Sequence, residues 1–589
     1  MESIRDDFLI IGITGPFCSG CTTSANFFVS HLKPTKEHFV GQKDSINSKI
    51  IKFYKELQNK KNSSTVSHYK LKNDILPLLK NRQIIRALES IPDTSFAYIS
   101  MTAILNYLTI RDAIKYAENI NDINKEYHNL IYFINKNKDK LQINIDKIAD
   151  VDTWLQEKTN IDYIISLFSQ LHKHKDFFSD AFNNTLDFYN MMQQLGNNAR
   201  KTGSPFIVNE PSTHSGNQAI LSETSCRYLK ILREKQKQTN KEDHRTYFVI
   251  ECLRNPAEIN YFRKRFAEFY LFSVFRDEKY RIRAAKKLNL SEHDAIAIDK
   301  IDQGGSFAKE IYKQNIKECV NIADIAITNN GTQDDLHNKL LQYFTLIKSP
   351  GCFLPTHEER NMHLAYSASL NSACICRQVG AVITKDGYVV GLGWNDAESN
   401  NIGCLYRHKR DARDIDHEYF PLGYDESHDR IVDLMNIDKL NEDQSFCLKD
   451  EYAIFKKNIQ LPSGISDECS KFISQIKTKS LQECRSLHAE ENAILQTTKS
   501  GSGPLTGATI YTTTFPCELC TKKILQDGIR KIVYCEPYPK SISQSVFFKE
   551  HFMNVEIILF NGVKSPSFFR LFKSALPIKD LQQINHALL

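Results

Sequence analysis

One pattern in the second half of this sequence constrains its fold more than any other feature: His-x-Glu, followed later by Pro-Cys-x-x-Cys. The pattern consists of His488 with Glu490 and of Cys517 with Cys520. Imidazole and thiolate are ligands that zinc prefers, and two cysteines three apart at a helix start can direct both sulfurs to one side of the first turn. We therefore expect a fold in which His488, from a neighbouring helix, meets these two sulfurs around one zinc ion.

The number of ligands indicates which kind of zinc site this is. The imidazole of His488 and the thiolates of Cys517 and Cys520 leave the fourth tetrahedral position open, as a catalytic site requires. Glu490 lies two residues after a ligand, so its carboxylate can reach the reacting groups and act as general acid and base without binding the metal. Zinc-dependent nucleobase deaminases share this pattern. It predicts hydrolytic removal of the amino group from a cytosine ring.

The alternatives for an isolated Cys-x-x-Cys are a structural zinc clip or two buried thiols. His-x-Glu, Pro516 and a preceding strand occur in the order of the catalytic pattern, and this order favours catalysis. The other cysteines of the second half are most simply core or surface thiols: Cys374, Cys376, Cys404, Cys447, Cys469 and Cys484. His408 or His417, together with one of these thiols, could form a second, structural metal site.

Length and composition set the broad class of protein. A chain of 589 residues with 41% hydrophobic and 25% charged residues is expected to form two or three globular domains. Its 15 cysteines are odd in number and scattered, which fits free thiols and a metal site better than disulfides. The net charge of +6 is small beside 76 basic and 70 acidic residues. Composition alone therefore does not single out a nucleic-acid-binding protein.

The sequence shows no pattern typical of a signal peptide or a membrane span. The apolar run at residues 8–13 follows Asp6 and Asp7 instead of a basic region, which indicates a buried strand. No uncharged apolar stretch approaches the roughly 20 residues that a membrane helix needs. We expect a soluble, cytoplasmic protein that does not enter a membrane.

The first half of the chain has the segment order of an α/β domain. The strand at residues 8–13 leads into a glycine loop and then into a helix-compatible stretch, as in a P-loop. Residues from about 35 to 205 are rich in Lys, Asn and Asp with helical apolar spacing, and we expect a helical insertion there. Three further apolar runs, typical of buried parallel strands, lie at residues 247–253, 269–275 and 323–331.

A Lys-Ser-Pro-Gly segment at residues 348–351 marks a linker, so we place a domain boundary near residue 350 and expect domains at 1–350 and 351–589. The second domain is expected to be an α/β sandwich around one mixed sheet, interrupted by a polar excursion from about 396 to 480. Its expected elements are a helix at 357–370, a hairpin of strands 380–384 and 388–393, and strands at 508–513 and 531–534.

The glycine loop lacks a residue that phosphoryl transfer needs. Cys21 stands where a Walker A loop has its lysine, so kinase activity is disfavoured. The other residues of the P-loop pattern, Gly15, Gly20 and Thr22, are present, and backbone amides at a helix N-terminus can bind an anion. The domain could therefore be a nucleotide or phosphate sensor, a weak kinase or an inert scaffold. Glu251 stands at a Walker-B-like position, and four arginines could neutralise phosphates or meet RNA: Arg254, Arg276, Arg281 and Arg283.

Beyond the metal ligands, the sequence resembles the deoxycytidylate deaminase family. Residues 372–383, Ser-Ala-Cys-Ile-Cys-Arg-Gln-Val-Gly-Ala-Val-Ile, are similar to its Ser-x-Cys-x-Arg-x-Val-Gly-Ala-Val segment, and residues 393–395 read Gly-Trp-Asn where the family has Gly-Tyr-Asn. The resemblance implies that Asn395 hydrogen-bonds the nucleotide sugar or base edge and that Arg377 contacts its phosphate. A turn residue and a surface ion pair, respectively, are the alternatives for these two side chains.

The whole chain resembles the anti-phage dCTP deaminases, and residues 250–258 and 536–541 also carry this resemblance. It implies an α/β chain with an N-terminal, degenerate P-loop kinase-like domain and a C-terminal, cytidine-deaminase-like α/β/α sandwich that uses Zn²⁺. It further implies that dCTP and dCMP are converted to their uracil counterparts during infection, which depletes the pool for phage DNA synthesis. An inhibitory RNA partner and assembly into a homo-oligomer follow from the same resemblance, and the P-loop could take a second nucleotide.

Two other functions compete with deamination of free deoxycytidine nucleotides. A deaminase that edits a base in RNA or DNA would need a basic groove with aromatic platforms. Residues 406–410, Tyr-Arg-His-Lys-Arg, are a candidate fragment of such a groove, but four acidic residues between 411 and 418 offset its charge. A non-catalytic nucleic-acid-binding module would not need the proton shuttle that Glu490 provides. Free nucleotides are therefore the favoured substrates.

Overall fold

A computed structural model describes most of the chain. The described residues are 7–59, 75–117, 119–120, 123–142, 144–208, 219–239, 245–302, 311–398, 401–408, 443–447, 449–450, 484–538, 543, 547–550, 555–574, 577 and 579. The chain divides into two compact units, Met1–Leu354 with Asn561–Leu589, and Pro355–Phe560. This grouping differs from the division expected from sequence, 1–350 and 351–589, because the chain returns to the first unit after the second is complete.

The described residues form both strands and helices in each of the two units. The strands are β1 Phe8–Thr14, β2 Phe96–Ser100, β3 Thr246–Glu251, β4 Phe269–Phe275, β5 Ile325–Thr328, β6 Gly380–Lys385, β7 Tyr388–Trp394, β8 Thr509–Thr514, β9 Lys531–Glu536, β10 Glu556–Leu559 and β11 Gly562–Val563. The helices are α1 Cys21–Asn26, α2 Leu32–Gly41, α3 Lys43–Asn59, α4 Leu76–Ser90, α5 Met101–Lys115, α6 His128–Asn137, α7 Val151–Glu157, α8 Ile161–Lys173, α9 Thr185–Thr202, α10 Ile220–Thr239, α11 Pro256–Arg265, α12 Glu278–Lys286, α13 Glu292–Asp302, α14 Ile316–Asn321, α15 Gln333–Lys348, α16 His357–Ser369, α17 Ala489–Ser500, α18 Glu518–Gln526, α19 Phe547–Glu550 and α20 Ser565–Phe572. A π-helical turn lies at Phe27–His31, and 3₁₀ turns lie at Lys125–Tyr127, Lys138–Leu141, Ile145–Asp150, Phe177–Ala181 and Cys404–Tyr406. None of the helices in these ranges combines the length and apolar composition needed to cross a bilayer.

The first unit is built on a six-stranded sheet in the order β11-β5-β4-β1-β3-β2. Its strands are parallel except β11. The apolar runs that predicted strands near residues 8–13, 247–253, 269–275 and 323–331 overlap with β1, β3, β4 and β5, so these predictions are confirmed. Side chains alternate between two hydrophobic clusters, with Ile10 in one and Leu9 and Ile11 in the other. Both faces of the sheet are therefore covered, which explains the continuous apolar sequence of its strands.

The region expected to be a helical insertion, about 35–205, requires a correction. Most of its described elements are helices, but it also contains β2, which pairs in parallel with β3 at the edge of the sheet. Phe96 and Ile99 of this strand are buried. The strand has only five residues and a helix begins directly after it. A run this short cannot be distinguished from a helical segment by its apolar spacing.

The chain returns to the first unit at Asn561. There β11 pairs antiparallel with β5, and the amide oxygen of Asn561 accepts a hydrogen bond from the backbone N–H of Thr328 at 2.9 Å. The Ser567 hydroxyl donates to the buried carboxylate of Asp324 at 2.7 Å. Helix α20 follows β11 and buries Leu571 in the core of the unit. The segment thus covers an edge of the sheet that would otherwise be unpaired.

The second unit contains a five-stranded mixed sheet in the order β10-β9-β8-β6-β7. β6 runs antiparallel to both β7 and β8, whereas β8, β9 and β10 are mutually parallel. The predicted hairpin is confirmed, and Asp386 and Gly387 at its turn have φ values of 52° and 86°. Such left-handed values are typical of a tight hairpin turn. Most of the polar excursion expected at about 396–480 lies outside the described residues.

Helix α17 lies directly on β7 because two glycines leave room for it. A Cβ atom added at Gly393 would overlap with the backbone of Ala489 and Ala493 in the helix, and one at Gly391 would lie 2.6 Å from the carbonyl oxygen of Ala493. Ala489 and Ala493 are fully buried in the core of this unit. The short side chains on both elements fix the height of the helix above the sheet and hence the position of its first residues.

Candidate active site

The metal-binding residues predicted from sequence lie together in the second unit. His488 and Cys517 occupy the N-cap positions of α17 and α18, and neither side chain caps its own helix. The Nδ1 atom of His488 lies 3.2 Å from the Cys517 Sγ atom and 3.4 Å from the Cys520 Sγ atom. Cys517 and Cys520 are 3% and 1% exposed. The two helix starts therefore converge on one small, buried set of donors.

The spacing and charge of these donors fit a zinc ion. Ligand atoms of a tetrahedral zinc site with one nitrogen and two sulfurs lie about 3.5 Å apart, given bond lengths of about 2.0 and 2.3 Å. A hydrogen bond from the Cys520 thiol lowers the pKa of Cys517 to about 4, and His488 contributes further to this lowering. Hydrogen bonds with Cys484 and Cys517 raise the pKa of His488 to about 10. These shifts favour a thiolate at Cys517 beside a positive charge, whereas the hydrogen bond with Cys517 raises the pKa of Cys520.

The Glu490 carboxylate lies beside the donor set and is not part of it. The residue is 4% exposed, accepts a hydrogen bond from the Thr512 hydroxyl at 3.2 Å and contacts the Cys520 thiol. Burial raises the pKa of Glu490, and the nearby His488 opposes this rise. A buried carboxyl group with a raised pKa can both accept and return a proton.

Two side chains at this site had no distinct signal in the sequence. The Cys484 thiol, four residues before His488, hydrogen-bonds to its imidazole. The Thr512 hydroxyl reaches Glu490 from β8. Alternation along that strand could have placed Thr512 on the same face as neighbouring buried residues, but no local pattern distinguishes a buried threonine that contacts a carboxylate from one in the core.

The side chain of Asn395 forms hydrogen bonds with other residues of the second unit. Its side-chain oxygen accepts hydrogen bonds from the backbone N–H of Val379 at 2.6 Å and from the Ser372 hydroxyl at 3.0 Å. Its side-chain nitrogen donates to the carbonyl oxygen of Arg377 at 2.8 Å. Asn395 is 7% exposed. In this structure the residue holds the loop between α16 and β6, and its expected contact with a nucleotide stays a prediction.

Arg377 lies at the end of that same loop. Its Nη1 atom is 3.9 Å from a carboxylate oxygen of Glu536, and the side chain is 34% exposed. Nη1 has no hydrogen-bond partner among the described residues. Arg377 also lies close enough to Tyr538, beside Cys517, to affect its electrostatics. The guanidinium is thus near the metal donors and retains hydrogen-bonding capacity.

Comparisons with known proteins agree with this geometry. Residues 355–536 match the family described as the cytidine and deoxycytidylate deaminase zinc-binding region. The deoxycytidylate deaminase of enterobacteria phage T4 is 30% identical over 190 residues, which cover 31% of this chain and 78% of the phage protein. This chain belongs to the cytidine and deoxycytidylate deaminase family. Zinc is accordingly its cofactor, and it is a deaminase of the hydrolase class.

Two further relatives of this deaminase were found. The deoxycytidylate deaminase of Schizosaccharomyces pombe is 24% identical over 298 residues, which cover 50% of this chain and 71% of the yeast protein. A crystal structure of a dCMP deaminase from the cyanophage S-TIM5, in complex with dCMP and dUMP, aligns to 35% of this chain and 99% of its own. The sequence identity is 21% and the TM-score is 0.21. The family match lies within the second unit of the deaminase.

The glycine loop of the deaminase lies in the first unit, where its side chains contact one another. Gly15 and Gly20 flank the loop, and Gly20 has a φ of 107° at the start of α1. The Cys21 thiol is buried and lies 3.4 Å from the Ser19 hydroxyl. The Thr22 hydroxyl donates to the carboxylate of Glu251 at the end of β3. The predicted phosphate-binding role of Gly15, Gly20, Cys21 and Thr22 stays a prediction.

The four arginines expected to serve phosphates or RNA interact with other side chains of the first unit. Arg254 pairs with the buried carboxylate of Asp302 at 2.8 Å, and Arg281 pairs with Asp299. Arg276 and Arg283 each lie 5.7 Å from the ring centre of Tyr280. Carboxylates already neutralise two of these four cations, which weakens the argument that they serve a phosphate.

The basic fragment considered for nucleic-acid binding does not form a uniform exposed patch in its described part. Tyr406 is 70% exposed, but Arg407 is 2% exposed and stacks 5.1 Å from the ring centre of Phe446. Residues 409–410 lie outside the described residues. Arg407 therefore packs within the protein, and its guanidinium is not accessible to the phosphates of a nucleic acid.

Proposed function

We propose that this deaminase acts on free deoxycytidine nucleotides and converts dCTP, dCMP or both to dUTP or dUMP with release of ammonia. One observation carries the proposal: a buried carboxylate, Glu490, lies beside the converging donors His488, Cys517 and Cys520. The names of the phage and yeast relatives, deoxycytidylate deaminases, support the substrate class.

His488, Cys517 and Cys520 would hold the zinc ion through one nitrogen and two sulfurs. When bound, zinc supplies Lewis-acid activation that makes water a nucleophile at neutral pH. Glu490 removes a proton from the attacking water and delivers it to N3 of the cytosine ring as C4 is attacked. The same carboxylate then takes the second proton of that water, from the hydroxyl on C4, and delivers it to the amino group, so that ammonia leaves as the C4 carbonyl forms. Burial of Glu490 keeps bulk water from competing for these protons.

Arg377 and Asn395 are proposed to act together on the nucleotide. The guanidinium of Arg377 binds a phosphate oxygen, since it lies near the metal donors and its Nη1 atom has no hydrogen-bond partner in the described part of the chain. Asn395 supports this contact because it binds the backbone carbonyl of Arg377. An arginine suits phosphate because its planar fork can donate two parallel hydrogen bonds.

The biological role that we propose is depletion of dCTP during phage infection, by a homo-oligomer held inactive by an RNA partner until infection. The first unit, with its glycine loop and without the Walker A lysine, would be a degenerate P-loop kinase-like domain that senses a second nucleotide. These elements rest on the resemblance to the anti-phage dCTP deaminases. Measuring dCTP in infected cells that carry the active protein or a Glu490 variant tests the role: equal dCTP levels would contradict it.

The substrate is tested by incubating the zinc-loaded protein separately with dCMP, dCTP and a cytosine-containing single-stranded oligonucleotide. Ammonia release from at least one free nucleotide, and none from the oligonucleotide, is expected. Turnover of the oligonucleotide alone would replace the proposal with base editing. No release from any of the three, with zinc present and the protein folded and free of bound RNA, would contradict deamination of free deoxycytidine nucleotides.

A further inference from the structure

A second cluster of metal-binding side chains lies in the second unit, apart from the His488 site. Among the described residues, Cys376, Cys447 and Asp450 bring two thiols and a carboxylate together with all three ligand atoms within 4.8 Å of one another. The Cys376 Sγ atom lies 3.2 Å from a carboxylate oxygen of Asp450. Residues more than 70 positions apart in the sequence thus converge on one point.

A fourth potential donor, the thiol of Cys374, lies beside this cluster. The thiol of Cys374, two residues before Cys376, hydrogen-bonds to the Cys376 thiol, and the Cys376 thiol also hydrogen-bonds to that of Cys447. Three sulfurs and one carboxylate oxygen are therefore linked through Cys376. Sulfurs bound to one tetrahedral zinc ion lie about 3.8 Å apart, given zinc–sulfur bonds of about 2.3 Å.

We propose that Cys374, Cys376, Cys447 and Asp450 bind a second zinc ion whose role is structural. Four protein ligands fill the tetrahedral shell and leave no position for water, which distinguishes this site from an open catalytic one. Thiolates favour zinc over magnesium or calcium, which prefer oxygen ligands. The ammonium group of Lys449 interacts electrostatically with the thiols of Cys484, Cys376 and Cys447 and with Asp450, and so offsets the excess negative charge of the ligands.

The proposed ligands differ from the second metal site considered from sequence, which included a histidine. His408 forms an isolated β-bridge with Ser445 and is not one of the clustered donors. His417 lies outside the described residues. Cys484 belongs to the other site because its thiol contacts His488.

A metal at this place would connect two segments of the second unit. Cys374 and Cys376 lie in the loop that precedes β6, and Cys447 and Asp450 lie in the polar excursion. Arg377 directly follows Cys376, and Asn395 holds the same loop from the end of β7. The second zinc ion would thus fix the excursion to the loop that carries Arg377.

The proposal is tested by measuring the zinc content of the full chain. The protein is purified with a non-chelating reductant and dialysed to remove weakly bound metal. The wild-type protein should hold about two zinc ions per chain, and Cys447→Ser and Cys517→Ser should each hold about one. The double variant should hold none. Cys352→Ser, which removes a half-buried thiol of the first unit that belongs to neither cluster, is the matched control and should keep both ions.

About one zinc ion in the wild-type protein, lost entirely in Cys517→Ser and kept in Cys447→Ser, would overturn the second site. A wild-type chain with one zinc ion and a Cys376–Cys447 disulfide, seen by mass spectrometry without reductant, would also overturn it. If Cys447→Ser does not fold, cobalt substitution of the wild-type protein decides, because two cobalt ions with thiolate charge-transfer bands are expected. Zinc content does not depend on which nucleotide is the substrate, so the two proposals fail independently.

Discussion

The side-chain oxygen of Asn395, at the end of β7, accepts a hydrogen bond from the backbone N–H of Val379 at 2.6 Å. The same side chain donates to the carbonyl of Arg377, and its oxygen also accepts from the Ser372 hydroxyl. One buried amide therefore closes the loop of residues 372–379 at three points. The loop contains both Arg377, which we propose as the phosphate contact, and Cys374 and Cys376, which we propose as zinc ligands.

Asn395→Ala is expected to destabilise the second unit by about 1–3 kcal/mol, because buried backbone groups at Val379 and Arg377 lose their partners. It should also raise KM for the nucleotide more than it lowers kcat, since the loop that carries Arg377 becomes less ordered. Denaturant unfolding and steady-state kinetics measure these effects. Asn401→Ala is the control, because Asn401 is exposed and its side chain donates a hydrogen bond to the exposed carboxylate of Glu398. Equal unfolding curves for both variants would show that Asn395 does not stabilise this loop.

Glu490→Gln should lower kcat for ammonia release by about 10²–10⁴-fold, because an amide cannot accept and return the proton. Zinc content and the unfolding midpoint should stay close to those of the wild-type protein, since the amide has nearly the shape of the carboxyl group. The control is Glu491→Gln: the adjacent carboxylate pairs with Lys523 at the surface, and exposed pairs contribute little. A Glu490→Gln protein that keeps wild-type kcat would show that another group moves the protons.

The grouping of His488, Cys517 and Cys520 could be predicted from sequence because the spacing of these residues is local. Cys517 and Cys520 share one helical turn, and His488 precedes Glu490 by two residues, so the pattern itself contains most of the geometry. Strands β1, β3, β4 and β5 could be predicted for a similar reason: each contains a continuous apolar run, which is typical of a strand buried on both faces of a sheet. These features depend on short segments that carry their own signal.

What the sequence did not reveal depends on contacts between distant segments. No spacing connects Cys376 with Cys447 and Asp450, because the polar excursion separates them. Asn395 has the same local sequence whether its amide binds a nucleotide or the backbone of Val379. The return of the chain to the first unit depends on a two-residue strand, β11, that is too short to produce a periodic pattern.

Gly393→Ala tests how α17 is positioned. An added Cβ would overlap with backbone atoms of Ala489 and Ala493, which cannot rotate away, so the helix and the adjoining His488 must shift. We expect a loss of about 1–3 kcal/mol in stability and faster release of zinc to a chelator. Gly41→Ala is the control: no heavy atom lies within 4 Å of its added Cβ, and alanine is the better helix former there. Wild-type zinc release from Gly393→Ala would contradict this role of the glycine.

Ser567→Ala tests whether the returning segment is held by Asp324. The Ser567 hydroxyl donates to one oxygen of this buried carboxylate at 2.7 Å, and the other oxygen accepts from the backbone N–H of Leu271 at 2.7 Å and from Arg263 at 3.0 Å. Asp324 thereby joins β4, α11 and α20 through three donors, and loss of one donor to a charged group costs about 1.5–3 kcal/mol.

Hydrogen exchange measures this effect where it occurs, at residues 561–574. The backbone N–H of Lys564, which donates to the carbonyl of Asp324 at 2.8 Å, should exchange faster in Ser567→Ala, while β1 in the centre of the sheet keeps its protection. Ser30→Ala provides the matched control, since the Ser30 hydroxyl is exposed and donates to the carbonyl of Asn26 one helical turn earlier. Because the affected segment is local, unchanged exchange at residues 561–574 would mean that β11 and Leu571 hold it without Ser567.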